Sequence, residues 1–510
     1  MDGSEIELKL AVAPGDVARL SRLAALKAHR VGRPATKTLQ SVYYDTPGLA
    51  LAEAGVTVRL RQSSGGLVQT VKTTGSRASG LFARREWECA VPSPALDRDR
   101  LGDTGLDLLR DKNVVDALAP CFATDIRRTL HHLHGGGWQV EMAVDRGEIR
   151  AGERTEAVCE IELELKQGTP DHLFTLARQI AGAMPVRLMA RSKSDRGHDL
   201  AAGRPPCAAR ASGTDMDDDA TIAEAFRSIA RNCLHHLLAN QGVLLDHGDA
   251  EAVHQMRVAL RRLRSALKIF RPLVAGPQLA AIGEEIRWLL GRLGPARDAE
   301  VFLTEIIDPV ATRYGDQPGM QDLRQLWRAQ RDQELQAAQA AVDDPRFTLL
   351  LLDLGAWVEA GDWCTDPSLP GAQLGGQPVR PFARQVLSRL ARKLRKAGGK
   401  KLHKLSPPAL HRTRILSKQL RYAAEFFVPL FGKGEAKDYL KVLSRLQDCL
   451  GQINDIAVAA PRLATAHDLG HAAWASGLVG GWHEARRPEL AAKAQRSWAT
   501  LRGRRKFWKA

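Results

Sequence analysis

Along the first 200 residues, apolar and polar positions alternate with period 2 in six stretches: 5–10, 56–61, 67–72, 84–88, 138–145 and 158–166. Such alternation predicts β-strands with one apolar and one polar face. Turn-forming runs separate them, among them Ser63-Ser64-Gly65-Gly66 and Gly135-Gly136-Gly137. Shorter helical patterns fall near 14–28 and 170–182. The chain therefore reads as α+β, opening with an antiparallel sheet or barrel carrying a few helices. Periodicity stops over 199–219, which is rich in Pro, Gly, Ala and Asp. This places a first domain at 1–200, a linker at 201–219 and a helical domain at 220–510. A stretch at 362–381, expected to be a loop, splits the helical part into about 220–361 and 380–510.

Those two halves resemble each other. VHQMRVALRRLRSALKIFRPL at 253–273 aligns with LHRTRILSKQLRYAAEFFVPL at 410–430, and LGPARDAEV at 293–301 with LGQINDIAV at 450–458, both at an offset of 157. Two gapless matches at one offset point to an internal duplication. On a helix, His254, Arg257, Arg261 and Arg264 fall at 0°, about −60°, about −20° and about −80°. Leu260, Leu263, Leu267 and Phe270 lie opposite. His411, Arg414, Lys418 and Arg421 repeat the stripe. Like charges at i,i+3 and i,i+4 destabilise an isolated helix, so a stripe kept in both copies points to a compensating anion.

Charge sharpens the division. The net charge is +16, yet residues 1–200 carry 28 Lys+Arg against 26 Asp+Glu, leaving most of the excess to the helical half. A basic body fits a polyanionic partner. Few aromatics lie among its cations, which disfavours single-stranded nucleic acid. No apolar run is long enough to span a membrane and no leader pattern is visible. Seven scattered cysteines without a CxxC favour a reducing cytoplasm and argue against a thiolate zinc site. His131, His132 and His134 read as a strand edge beside a glycine turn rather than a metal site.

On the strands, Glu5, Glu7 and Lys9 share one face, as do Glu160, Glu162, Glu164 and Lys166. Arg59, Arg61 and Lys72 supply cations between them. In a closed barrel such faces would line one lumen, where carboxylates suit Mg²⁺ or Mn²⁺ and cations suit phosphate oxygens. The ordered set Glu5-Ile6-Glu7-Leu8-Lys9, Arg59-Leu60-Arg61, Lys72, Arg85-Glu86, TDIRR with Arg128, Asp145, EIELELK and RSKSDRG with Lys193 resembles the CYTH family of triphosphate tunnel metalloenzymes. The resemblance implies an eight-stranded antiparallel tunnel that hydrolyses inorganic triphosphate. It implies metal ligands at Glu5, Glu162 and Glu164, with Glu7 and Asp145 near a second metal and the attacking water. Lys9, Arg59, Arg61, Lys72, Arg85, Arg128 and Lys193 would bind the substrate, and Glu7, Lys9 and Asp145 would form the catalytic set.

The duplicated stripe resembles the CHAD domain, a helical bundle with conserved histidines. That resemblance implies binding of long-chain polyphosphate by His254, Arg257, Arg261, Arg264, His411, Arg414, Lys418 and Arg421, in the cytoplasm and in association with polyphosphate granules. Asn454 stands where the first copy has Arg297. Competing readings are a non-catalytic polyphosphate-binding scaffold, and an adenylate cyclase or thiamine triphosphatase on the same tunnel.

Overall fold

In a computed structural model of the chain, residues 3–78, 80–369, 371–465 and 470–509 are described. They form two compact units. The first comprises the chain up to Ala209 together with Leu234–Val243 and Asp343–Gly361, and the second comprises Arg210–Cys233, Leu244–Val342 and Asp362 onward.

The first unit is built on β1 (Gly3–Ala11), β2 (Arg30–Asp45), β3 (Val56–Ser63), β4 (Gly66–Thr73), β5 (Ser76–Ala78), β6 (Leu81–Val91), β7 (Ala119–Gly135), β8 (Trp138–Ala151), β9 (Arg154–Gln167) and β10 (Arg187–Leu188). Antiparallel pairing runs β1-β9-β8-β7-β2-β3-β4-β6, and β6 pairs back onto β1, closing an eight-stranded barrel. The six alternating stretches lie in β1, β3, β4, β6, β8 and β9. β2 and β7 complete the ring, with Leu39 to Ile126 and Lys37 to Arg128 in register.

The outer face of the barrel wall is covered at β1 and β9. Outward-facing Leu8, Leu10, Ile161 and Leu163 are fully buried. Helix α1 (Asp171–Ala183) buries Leu173, Phe174, Leu176, Ala177 and Ile180. Helix α2 (Lys193–Ala202) begins in a capping box in which Ser192 and Asp195 satisfy each other's backbone N–H. His198 in α2 faces Asp45 at 3.2 Å. The Asp45 carboxylate in turn accepts from the backbone of Thr46, Leu51 and Ala52 at 2.7–3.0 Å. These contacts fix the start of α2, and with it Lys193. The Pro345–Ala360 helix also belongs to this unit, Thr348 donating to the Val186 carbonyl at 3.1 Å.

In the second unit the duplication is visible as repeated helices. α3 (Ala250–Ile269) and α4 (Pro277–Val301) correspond to α6 (Pro407–Phe427) and α7 (Lys433–Ala464). α5 (Val379–Gly398) precedes α6, and α8 (His471–Gly503) follows α7. One core gathers Phe302, Leu303, Ile306, Ile307, Leu463 and Val479. The copies differ past α4. There the first copy makes a π-helical turn over Phe302–Ile307, where α7 continues as α-helix. The 362–381 stretch is shaped by two short helical turns, Asp362–Thr365 and Ala372–Gly375.

Candidate active site

Strand parity assembles the lumen. Across β1, β9 and β8 the register sets Glu7 beside Glu164 and Glu164 beside Glu141. It sets Lys9 beside Glu162 at the next level, and Glu160 beside Asp145 beyond that. From the other side, Glu5 pairs in register with Arg84, Lys72 with Glu86, and Tyr43 with Arg59. The resulting tunnel has a volume of about 230 Å³. Of the residues expected there, Glu5, Glu7, Lys9, Arg59, Arg61, Lys72, Arg128, Glu162, Glu164 and Lys193 line it. Asp145 is wholly buried in the wall behind them.

Arg85 is placed elsewhere. It is exposed, and the side chains that turn inward from β6 are Arg84, Glu86 and Glu88. The alternation could have shown this, because Trp87, two residues from Arg85, packs on the barrel's outer core. Sequence reasoning also passed over Lys37, Tyr43 and Glu141, all on the lumen. Glu141 has the parity of Asp145 on β8. Lys37 lies in the exposed half of β2, where no apolar alternation marks the strand.

The lumen charges neutralise one another. Arg128 forks onto Asp145 at 2.7 and 2.6 Å and also meets Glu162. Lys193 reaches Asp145 at 2.7 Å, Glu162 at 3.0 Å and also Glu160. Lys9 bridges Glu7, at 2.9 Å, and Glu162. Lys72 holds Glu5 at 2.7 Å and Glu86 at 2.8 Å, and Arg84 holds Glu5 at 2.8 Å and also Glu7. Burial disfavours the ionised form of Glu5, Asp145 and Glu162. The adjacent cations outweigh it and hold all three carboxyls below their usual range.

Two features break this neutrality. Burial, with Glu5 and Glu141 nearby, raises the Glu164 carboxyl, although Lys166 opposes the rise. Burial and neighbouring Arg59 push Arg61 down to about 10. Its Nε donates to Ser41 at 3.3 Å, and among the described residues no carboxylate pairs with it. One group is short of positive charge and the other short of negative charge.

The carboxylates fit a divalent cation. Asp145, Glu160 and Glu162 each offer an oxygen, all within 4.8 Å of one another. Glu5, Glu141 and Glu164 form the second acidic grouping. An all-oxygen donor set suits a hard cation such as Mg²⁺ or Mn²⁺. The site expected at Glu5, Glu7, Asp145, Glu162 and Glu164 thus gains Glu141 and Glu160 as neighbours.

In the helical unit the two stripes converge. Arg261 of the first copy acts on both Arg414 and Lys418 of the second. Burial and the guanidinium groups of Arg414, Arg261 and Arg421 push Lys418 down to about 7. Burial and Arg261 push Arg257 down to about 10, and burial and Arg297 push His254 down to about 4. Arg264 is exposed at the edge of the stripe. His411 Nδ1 meets Asn454 at 3.0 Å, which gives Asn454 a partner of its own. Two acids temper the cluster: Asp298, 3.5 Å from Arg257, and its duplicate Asp455. Both stand in the repeated LGPARDAEV and LGQINDIAV segments.

Comparison with known proteins bears on both units. Residues 3–197 match the CYTH domain and residues 228–464 the CHAD domain. Over 198 residues, 38% of its length, the chain is 31% identical to an inorganic triphosphatase of Haemophilus influenzae. That match covers 54% of the Haemophilus protein, so the chain spans about half the length of that relative. An uncharacterized protein of Mycobacterium tuberculosis is 25% identical over 421 residues, covering 78% of this chain and 77% of that one. The crystal structure of the CHAD domain from the plant Ricinus communis aligns with a TM-score of 0.51 at 33% identity, over 59% of this chain and 98% of that one. With a closed eight-stranded barrel followed by a duplicated helical region, the chain carries a CYTH domain followed by a domain of the CHAD family.

Proposed function

We propose that the tunnel hydrolyses inorganic triphosphate with a divalent metal, and that the helical unit binds long-chain polyphosphate. The carrying observation is the pairing inside the lumen: every buried carboxylate there is held by a cation that a phosphoryl oxygen could take over. When triphosphate enters, Arg59, Arg61, Lys72, Arg84, Arg128 and Lys193 turn to its oxygens, as guanidinium and ammonium groups suit them. The carboxylates they release, Asp145, Glu160 and Glu162 in one grouping and Glu5 beside Glu141 and Glu164 in the other, are the ones that would hold Mg²⁺ or Mn²⁺. A bound metal neutralises the phosphoryl chain and lowers the pKa of a water at the site.

The chain's own part is positioning and charge stabilisation, so no protein nucleophile is required. Lys9 holds Glu7 and Glu162 in place. Asp145, clamped by Arg128 and Lys193, orients both cations. The identity to the Haemophilus inorganic triphosphatase supports this reading.

A phosphate-release assay over triphosphate, ATP, thiamine triphosphate and long polyphosphate, with and without Mg²⁺ or Mn²⁺, tests it. Triphosphate should be the best substrate and a chelator should stop release. Turnover that survives chelation, or that prefers ATP or thiamine triphosphate, would sink it.

A further inference from the structure

The two copies in the helical unit differ most in charge. From Pro367 to Ala424 the chain has fourteen lysines and arginines and no carboxylate. The corresponding residues of the first copy, 210–267, have seven and eight. The basic stripe contributes three lysines or arginines to each copy and so none of this excess. Of the other eleven in the second copy, ten lie on α5 and the turn after it.

α5 is amphipathic. Val386, Leu387, Leu390, Ala391 and Leu394 are buried, while Arg389, Arg392, Lys393 and Lys396 are exposed. The exposed four fall within about 100° of one another around the helix. They stand at i,i+3 and i,i+4 spacings, where like charges destabilise. Among the described residues none of the four has a carboxylate partner. The turn that follows presents Lys400, Lys401 and Lys404, all exposed. It is no loose tail. Leu402 is buried and its N–H donates to Gln495 at 2.7 Å, while Trp498 Nε1 donates to the Gly399 carbonyl at 3.1 Å. A Cβ at Gly398 would strike the Trp498 ring, so the backbone there is packed tightly onto α8. Further cations gather at the chain's end, where burial, Lys509, Arg395 and Arg392 lower the Lys506 ammonium.

We propose that the exposed face of α5 and the turn 399–404 form a second polyphosphate-binding surface, separate from the duplicated stripe, that selects for long chains. The inference rests on the polyphosphate reading of the helical unit. A polymer long enough to engage both surfaces gains from its effective concentration at the second, and a short one cannot. The ligand chemistry follows from what the face lacks. Phe382, the aromatic of α5, is half-buried, and the exposed ring of the turn, His403, is tethered through Nδ1 to Gln495 at 3.2 Å, so the face has no row of rings on which successive bases could stack. The exposed large apolar side chains, Val31, Leu326, Ile415, Val458 and Trp474, all lie outside α5 and the turn, which leaves nothing there to enter a bilayer. What remains is recognition of repeated phosphoryl charge.

The test uses the full chain with Arg389, Arg392, Lys393 and Lys396 all replaced by Gln, its fold checked by circular dichroism. Long-chain and short-chain polyphosphate are titrated at several salt concentrations. The variant should bind the long chain at least about tenfold more weakly, with a salt slope flatter by roughly one unit per lost contact. Its affinity for the short chain and its phosphate release should be unchanged. A matching Arg→Lys variant at 389 and 392 should bind as the unmodified chain does. Unchanged long-chain affinity, or equal loss at both lengths, would overturn the second surface while leaving stripe binding intact. Stronger competition by single-stranded DNA than by polyphosphate would overturn the choice of ligand. No binding of long polyphosphate by the unmodified chain would overturn the parent reading as well.

Discussion

The tunnel and the duplicated stripe both concentrate cations, and they manage the charge in opposite ways. In the lumen the buried cations other than Arg61 meet carboxylates, and the carboxyls of Glu5, Asp145 and Glu162 are held below their usual range. In the helical unit the cations face one another, and Lys418, Arg257 and His254 are all pushed down. A self-neutralised lumen can exchange its internal pairs for a small anion with divalent cations without leaving buried charge unpaired. A surface with excess positive charge gains instead from a polymer that displaces condensed counterions.

The largest effect expected on this contrast is in the tunnel. Glu162→Gln removes a carboxylate that three cations share, so metal-dependent phosphate release should fall by at least about 10²-fold. Near-normal turnover in the folded variant would dissolve the distinction between the two regions. In the helical unit, replacing Arg261, Arg414 and Lys418 with Ala should weaken long-polyphosphate binding by at least about tenfold and flatten its salt dependence, leaving triphosphate turnover intact. Titration of both activities in one variant checks this. If turnover falls too, the regions do not act separately.

A subtler test uses pH. Lys418 titrates near 7 in the folded chain and far higher when unfolded. Between about pH 7 and 10 the unfolded chain therefore binds more protons, and stability should rise with pH through that window. Lys418→Gln should flatten the rise in a chemical-denaturation series. Polyphosphate binding should run the other way, weakening by up to about tenfold per unit above pH 7 as the ammonium is lost. The smallest effect belongs to Arg85→Gln, which should leave KM and kcat within about twofold because the side chain is exposed outside the lumen. Arg84→Gln in the same assay is the positive control. Equal losses in the two would reverse the assigned strand parity.

How much was legible follows from the same residues. Period-2 alternation exposed β1, β3, β4, β6, β8 and β9 because the outer barrel face is apolar and the lumen charged. β2 stayed hidden because its first nine residues, Arg30 to Thr38, are exposed or nearly so, leaving no apolar beat. The doublet Arg84-Arg85 could be resolved only by weighing Trp87 as an outward anchor. In the helices, spacing gave the stripe and the offset gave its repeat. Convergence of Arg261 on Lys418 was out of reach, because it depends on how α3 meets α6 rather than on either helix alone.

Closure of the barrel has a further consequence for how this sequence can vary. β1 is hydrogen-bonded along both edges, to β9 and to β6. A register slip of one residue would turn Leu8 and Leu10 into the lumen and drive Glu7 and Lys9 into the apolar wall. A single-residue deletion within Glu5–Leu10 should therefore produce no barrel, rather than a barrel with a weakened lumen. Lineages can retune such a lumen by exchanging one side chain for another, whereas insertions and deletions must be confined to the turns.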